Sequence, residues 1–193
     1  MKTHLKKALA AVLIVYGVTL LIWLFLLGSL DSNAFLIGLK TLSKATIPPL
    51  LLVAAFQRWC WRWKLVQMWL KIPDLQGTWK GELVSTYDAT KRIPITVKIS
   101  QTLTSLHVIT KTETSASITS CAHLLPHIEL PRYDLIFTYL NSPQGNSGLD
   151  MHWGTSIFTV EGLRPTTLEG SYFTNRKPQT QGSITLKKKV TQR

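Results

Sequence analysis

Hydrophobic residues are distributed unevenly along this chain. Residues 8–30 form an uncharged run of 23 residues, "ALAAVLIVYGVTLLIWLFLLGSL". At about 1.5 Å per residue, the run gives roughly 35 Å of helix, which is enough to cross a hydrocarbon core of about 30 Å. It is longer than the apolar run of a signal peptide and has no small-residue cleavage pattern. We therefore predict a retained transmembrane helix.

A second hydrophobic region covers residues 34–56 and contains Lys40, Lys44 and two consecutive prolines. Lys40 and Lys44 lie four residues apart, so they share one helical face. Two interpretations are open. In the first, the helix starts after the lysines, or their side chains extend to the membrane surface. In the second, the lysines form a polar face for helix association or for a water-filled path.

Basic and aromatic residues flank these two regions. Residues 58–71 contain four tryptophans and four basic side chains, a combination typical of a membrane interface. Basic residues also precede the first run, and Asp31 lies in a short polar turn between the two regions. We predict a transmembrane hairpin over residues 1–57 with both chain ends in the cytoplasm, followed by a membrane-exit linker over residues 58–73.

From residue 74 onward the hydrophobic pattern has a period of two. Apolar and polar residues alternate in short runs bounded by turn formers, which predicts β-strands. The predicted strands are Gly77–Tyr87, Arg92–Thr102, Ser105–Thr112, Ser115–Leu124, Tyr133–Leu140, Asp150–Val160, Thr167–Asn175 and Gln181–Lys188. Eight antiparallel strands with mostly short loops predict a closed up-and-down, lipocalin-like β-barrel over residues 74–193, with a β-sandwich as the alternative.

The inward-facing positions of these strands divide into an apolar set and a hydrogen-bonding set. A barrel of this size has room for side chains or one small ligand, so we look for function on its inner wall. The apolar set is Ile93, Ile95, Val97, Ile99, Leu135, Phe137 and Leu168. The hydrogen-bonding set is Ser115, Ser117, Thr119, Cys121, Tyr139, Tyr172, Thr174 and Arg176. This division predicts a lumen that is apolar at one end and polar at the other.

Arg176 needs a partner if it is buried, because an unpaired buried guanidinium is very unfavourable. One interpretation is a salt bridge to Glu169 or Asp150, or exposure to solvent. The other is an anionic ligand, since Arg binds phosphate oxygens through paired hydrogen bonds. His152 is likewise either a ligand contact or a hydrogen-bonded core residue, and Trp79 is either a plug at the barrel floor or a base-stacking platform.

Charge and motif spacing narrow the classes of function. The chain carries a formal charge of +12, but residues 72–193 hold 13 basic and 9 acidic side chains, a surplus of only four. A basic stripe on the folded domain would indicate a nucleic-acid polymer, so we expect no such partner. The histidines lack metal-ligand spacing, and no phosphate-binding loop or acid–base pair stands out. We expect no metal, no cofactor and no enzymatic activity.

Four segments carry a resemblance to a known family: "LQGTWKGEL", "YDLIFTYLNSP", "HWGTSIF" and "LEGSYFTNRKPQTQGSITL". Together with the predicted architecture, they make the chain resemble bacterial anti-phage effectors of cyclic-oligonucleotide (CBASS) operons. The resemblance implies a barrel that binds a cyclic dinucleotide, assembly into a homo-oligomer, and disruption of the bacterial inner membrane that kills the cell. The implied ligand contacts are Tyr172, Thr174, Arg176 and Thr180, with Tyr139 and Ser117 as weaker candidates.

Two other functions stay open. One is a constitutive membrane-tethered carrier, a lipocalin-like barrel for an apolar or amphiphilic metabolite. The other is an accessory subunit that packs against a larger membrane protein through its hairpin, which predicts a filled barrel without a ligand. The hydroxyl-bearing strands and Arg176 favour a cyclic-dinucleotide receptor over both.

Overall fold

The computed structural model describes residues 10, 13–18, 21–22, 47–48, 50–127, 130, 132–143 and 151–189. The chain divides into two units. One consists mainly of residues before Ile72, and the other consists of Ile72–Gln101 and Ser105–Arg193.

The N-terminal unit is helical where it is described. Residues 13–18, 21–22, 47–48 and 50–58 are helical, and they are followed by a 3₁₀ turn at Cys60–Arg62 and a short helix, α1, at Lys64–Leu70. Lys71 caps the C-terminal end of helix α1; its backbone is left-handed, and its N–H donates a hydrogen bond to the carbonyl of Gln67.

The predicted transmembrane hairpin lies largely outside the described residues. Most of the first apolar run, the turn at Asp31, Lys40 and Lys44 all fall outside the described part of the chain. Within the described part of the chain, none of the helices combines the length and the apolar character needed to span a membrane. The hairpin and the domain boundaries drawn from it therefore stay predictions.

Eight antiparallel strands form the second unit. They are β1 (Gly77–Ser85), β2 (Asp88–Gln101), β3 (Leu106–Lys111), β4 (Ser115–Pro126), β5 (Arg132–Pro143), β6 (His152–Glu161), β7 (Thr167–Thr174) and β8 (Gln181–Lys188). Each strand pairs with the next, and β1 pairs with β8 from Trp79↔Lys188 to Ser85↔Gly182. The sheet therefore closes into a barrel. The predicted up-and-down barrel is confirmed, and the sandwich alternative is wrong.

Side-chain burial alternates along the strands, as a period of two requires. On β7, Leu168, Tyr172 and Thr174 are buried, whereas Glu169 and Phe173 are exposed. The same alternation on the other strands builds one core inside the barrel, which includes Ile95, Val97, Ile99, Leu135, Phe137, Phe158, Val160, Ile184 and Leu186.

The barrel is closed at one end by the segment that leads into β1. Trp79 and Leu75 are both 0% exposed, and the indole Nε1 of Trp79 donates to the carbonyl of Leu75 at 2.9 Å. The buried amide of Gln101 holds the same segment, because its Oε1 accepts from the N–H of Leu75 at 2.7 Å and its Nε2 donates to the carbonyl of Pro73 at 2.9 Å. We call this end the floor, and Trp79 is the plug that the sequence suggested.

Strand β4 departs from the predicted alternation at its centre. A β-bulge between Thr119 and Cys121 inserts one residue, so the inward face changes there. Ser117 before the bulge is buried, whereas Cys121 is exposed, and Ala122 and Leu124 pack against the core instead. Placing Cys121 on the inner wall with the serines was therefore wrong.

Candidate functional site

A cavity of about 550 Å³ opens at the end of the barrel opposite the floor. It lies within the usual range of small-molecule sites, roughly 300–1,000 Å³. Residues near the β1–β2, β3–β4 and β7–β8 turns line its outer part, including Tyr87, Thr114 and Pro178. Its inner part is lined by apolar core residues such as Ile95 and Phe158. We call the open end the mouth. The structure thus has the predicted apolar and polar ends.

Strand β7 and the loop after it supply four of the predicted ligand contacts. Tyr172 and Thr174 are 7% and 3% exposed, Arg176 and Thr180 are half-buried, and all four line the cavity. The loop returns onto β7, since the N–H of Thr174 donates to the carbonyl of Thr180 at 2.9 Å and the two hydroxyls lie 2.8 Å apart. This arrangement fixes the position of Thr180, which is too far along the chain to be placed by alternation alone.

Two tyrosines on the inner wall lie directly across from glycines. Tyr139 pairs with Gly154 and Tyr172 pairs with Gly182 on the next strands. A Cβ atom at residue 154 would overlap the Tyr139 ring, and one at residue 182 would overlap the carbonyl oxygen of Val84 and lie 2.8 Å from the Tyr172 ring. The missing side chains therefore let both rings lie against the wall, a known form of aromatic packing over glycine in sheets.

The hydroxyl of Tyr139 is held in its neutral form. Burial raises its pKa to about 12, the hydrogen bond with Ser156 partly opposes this shift, and the nearby Tyr172 adds to it. At neutral pH the phenol is therefore protonated. It can donate a hydrogen bond to an anion and carries no negative charge that would repel the anion.

Ser117 and His152 also line the cavity, on strands β4 and β6. Ser117 is buried, and Nε2 of His152 lies 3.2 Å from Nδ2 of Asn141 on the strand between them. All seven residues singled out in the sequence therefore line one cavity. Their role in ligand binding stays a prediction.

Arg176 has no carboxylate partner among the described residues. Glu169, one proposed partner, is exposed on the opposite face of β7, and Asp150, the other, lies outside the described residues. The carboxylate that does line the cavity is Asp88, and it accepts hydrogen bonds from the hydroxyl and the N–H of Thr90 at 2.6 and 3.1 Å. These hydrogen bonds lower the pKa of Asp88 and occupy one of its oxygens.

Residues 70–188 match a family model described as "Cap15, cyclic dinucleotide receptor domain". The match covers more than half of the chain and includes all eight strands. The chain belongs to this family. The family bears out the resemblance to cyclic-oligonucleotide effectors with a cyclic-dinucleotide-binding barrel. No curated protein matched the chain.

Several residues that line the cavity of the Cap15 domain were not found from the sequence, and Lys91 and Asn141 are two of them. Lys91 and Asn141 both lie just beyond the predicted ends of strands, at Arg92 and Leu140, and both belong to strands in the structure. Extending the alternation from Phe137 and Tyr139 by one further step would have placed Asn141 on the inner wall. Lys91 adds a second basic residue to the cavity lining.

Proposed function

We propose that the mouth of the barrel binds a cyclic dinucleotide and that binding triggers assembly and membrane disruption in a bacterial anti-phage response. The observation that carries the proposal is the cavity of about 550 Å³, which combines basic, aromatic and hydroxyl side chains within a Cap15 domain. Each of these side-chain types matches one part of such a ligand.

Lys91 and Arg176 are suited to the two phosphates of a cyclic dinucleotide. A guanidinium binds phosphate oxygens bidentately, and a lysine binds them as a point charge. Arg176 has no carboxylate partner within the described residues, so a phosphate of the ligand would supply the negative partner for its guanidinium. Tyr139 and Tyr172 offer aromatic surface and hydroxyl groups to the rest of the ligand.

Calorimetric titration of the full chain in detergent with a panel of cyclic dinucleotides tests the proposal. We expect one of them to bind, and Arg176→Ala to weaken its binding about 10- to 100-fold, as expected for a hydrogen bond to a charged group. Arg92→Ala is the matched control, because Arg92 lies on the outer surface in a 2.8 Å ion pair with Glu82. Equal losses in both variants would contradict the assignment of Arg176.

Exposed apolar side chains support a membrane position for the N-terminal unit. Leu13, Leu21, Ile47 and Leu51 are 55–68% exposed, and Trp63 in the following linker is 65% exposed. Apolar surface of this kind marks a membrane or protein contact, and interfacial tryptophans are typical of membrane boundaries. We therefore propose that the chain is anchored in the bacterial inner membrane by the predicted hairpin.

An apolar row on the outer surface of the barrel supports self-association. Ile109, Ile118, Leu140 and Trp153 are successive cross-strand partners on β3 to β6, and Ile118 is 65% exposed. The neighbouring outward positions on β4, β5 and β6 carry no charge; they are Ala116, Ser120, Thr138, Ser142 and Thr155. Lys98 and Lys111 flank the β3 end of the row, so two copies of this basic chain would meet with least repulsion over its β4 to β6 part.

Ile118→Lys tests this contact, with Ser183→Lys on the exposed face of β8 as the matched control. Light scattering of the ligand-bound full chain should show smaller assemblies for Ile118→Lys than for the control. Calorimetry should show that both variants still bind the ligand, with a weaker apparent affinity for Ile118→Lys, because ligand binding and assembly are linked. Assemblies of equal size would remove this row from the proposed interface. Dye release from vesicles containing each variant then tests whether assembly and leakage change together.

A constitutive carrier is the second candidate, since the inner half of the cavity is apolar. Ile93, Ile95, Val97, Phe137, Phe158 and Ile184 line it. A carrier predicts an apolar molecule that copurifies with the protein and binds equally well to Arg176→Ala. The accessory-subunit alternative predicts a filled barrel, and a cavity of about 550 Å³ argues against it.

A further inference from the structure

One turn at the rim of the mouth presents an open aromatic ring to the cavity. Thr86 and Tyr87 form the turn between β1 and β2. Tyr87 lines the cavity, yet the residue is 79% exposed. A tyrosine ring has a large apolar surface, and here most of that surface is uncovered. The ring is therefore accessible to a ligand that enters the cavity.

The other aromatic rings of the cavity wall have much less free surface. Phe137, Phe158 and Tyr172 are 3%, 1% and 7% exposed. The ring of Tyr139 lies against a glycine of the neighbouring strand, which covers part of it. A base can stack only on an open ring face. Tyr87 is thus better placed to stack on a base than these four residues.

Hydrogen bonds hold the backbone of this turn against the neighbouring strands. The N–H and the hydroxyl of Thr86 donate to the carbonyl of Gln181, the first residue of β8, at 2.8 and 3.0 Å. The N–H of Tyr87 donates to Oγ of Ser85 at 3.3 Å. Because the backbone is already fixed, little conformational freedom is lost there when a ligand binds.

The two basic residues of the cavity flank this turn. Lys91 is on β2, and Arg176 follows β7. In the closed order β7, β8, β1, β2, the turn that carries Tyr87 lies between them around the rim. In a cyclic dinucleotide, each nucleoside is likewise joined to both phosphates. A ligand whose phosphates contact Lys91 and Arg176 therefore directs one nucleoside toward this side of the mouth.

Building on the proposed function, we infer that the ring of Tyr87 stacks on one base of the bound cyclic dinucleotide at the entrance of the cavity. The contact adds affinity without reading the identity of the base, because every base has a flat aromatic face. It depends on the ring and not on the hydroxyl of Tyr87. Another aromatic side chain at residue 87 should therefore preserve it.

Replacements of Tyr87 test the stacking. Calorimetry on the full chain in detergent uses the cyclic dinucleotides built from adenosine, guanosine, cytidine and uridine, alone and in pairs. For the tightest-binding of these, Tyr87→Ala should weaken binding about 5- to 100-fold, as expected for the loss of one stacked base. Tyr87→Phe and Tyr87→Trp keep a flat ring and should bind within about threefold of the wild type. Tyr87→Leu, which is apolar but has no ring, should bind more weakly than Tyr87→Phe.

Phe173→Ala is the matched control for the loss of an exposed ring. Phe173 is 45% exposed on the outer face of β7, close to the mouth but outside the cavity. The control should bind the ligand as tightly as the wild type. The melting temperature without ligand shows whether each variant is folded, and it should change little for Tyr87→Ala because this side chain is exposed.

The outcomes separate the inference from the proposed function on which it rests. Wild-type affinity in Tyr87→Ala, or a loss in Tyr87→Phe as large as that in Tyr87→Ala, would overturn the stacking role. The receptor function would then still stand, since binding by the wild type and its loss in Arg176→Ala test that function independently. If the wild-type protein bound none of these cyclic dinucleotides, the proposed function would fail, and the stacking role with it.

Discussion

The two ends of the barrel interior differ in how their polar groups are satisfied. At the floor, the amide of Gln101 and the indole of Trp79 bond to the backbone of the segment before β1, and apolar side chains fill the remaining space. At the mouth, Arg176 has no carboxylate partner and Oδ1 of Asn141 has no hydrogen-bond partner within the described part of the chain. One closed sheet thus provides a packed end that stabilises the fold and an open end suited to a ligand.

The largest stability effect should come from the floor. Trp79→Ala removes a side chain that is 0% exposed and should lower the free energy of unfolding by about 3–5 kcal/mol. Trp153→Ala is the matched control, because Trp153 is 46% exposed on the outer surface. Denaturant unfolding of the full chain, followed by the CD signal of the barrel, measures both. Similar losses for the two variants would contradict the distinct role of the floor.

A mouth glycine should give a smaller stability effect that depends on its neighbour. Gly154→Ala places a methyl group against the Tyr139 ring and should lower the free energy of unfolding by about 1–3 kcal/mol. The displaced ring would enter the cavity, so ligand affinity should fall as well.

The double variant tests the cause of this effect. In a Tyr139→Ala background, the added methyl group no longer meets the ring, so Gly154→Ala should destabilise the protein less. The difference between the two backgrounds is the energy of the clash. Strict additivity would show that Gly154 is required for another reason, such as its backbone conformation.

The smallest expected effect is a pH dependence at the mouth. The pKa of Tyr139 in the folded state is raised to about 12 from its ordinary value of 10.0, so unfolded chains lose this proton first as the pH rises. The stabilising contribution is complete below pH 10 and is lost between about pH 10 and 12.

The variant Tyr139→Phe lacks this proton. Its unfolding free energy should therefore fall less steeply than that of the wild type across the same pH range. Thermal unfolding in buffers from pH 8 to pH 12 measures the difference. Parallel curves for the two proteins would mean that Tyr139 titrates at its ordinary pKa.

The sequence predicted most of the barrel because a period of two is a local signal. Strand β8 has its predicted bounds, and β7 ends one residue early, at Thr174. Tyr172 and Thr174 therefore reached the correct wall from spacing alone, and Arg176 lines the cavity from the loop after β7. The transmembrane hairpin was predicted from the long apolar runs and the basic residues that flank them. Most of its residues lie outside the described part of the chain, so it stays a prediction.

Other features depended on contacts that the local pattern does not contain. The bulge after Thr119 reverses the inward face of β4, and nothing in the alternation of that strand marks it. Asn141 and Lys91 were missed because strand ends are set by pairing with neighbouring strands. The mutual position of Thr174 and Thr180 depends on the return of the β7–β8 loop, which spacing does not reveal.

The crystal structure of the full chain with its tightest-binding cyclic dinucleotide tests the central claim most directly. The account predicts that the ligand occupies the cavity at the mouth, with a phosphate oxygen within hydrogen-bonding distance of Arg176. A ligand bound on the outer surface of the barrel, with the side chains of the mouth unchanged, would contradict the account.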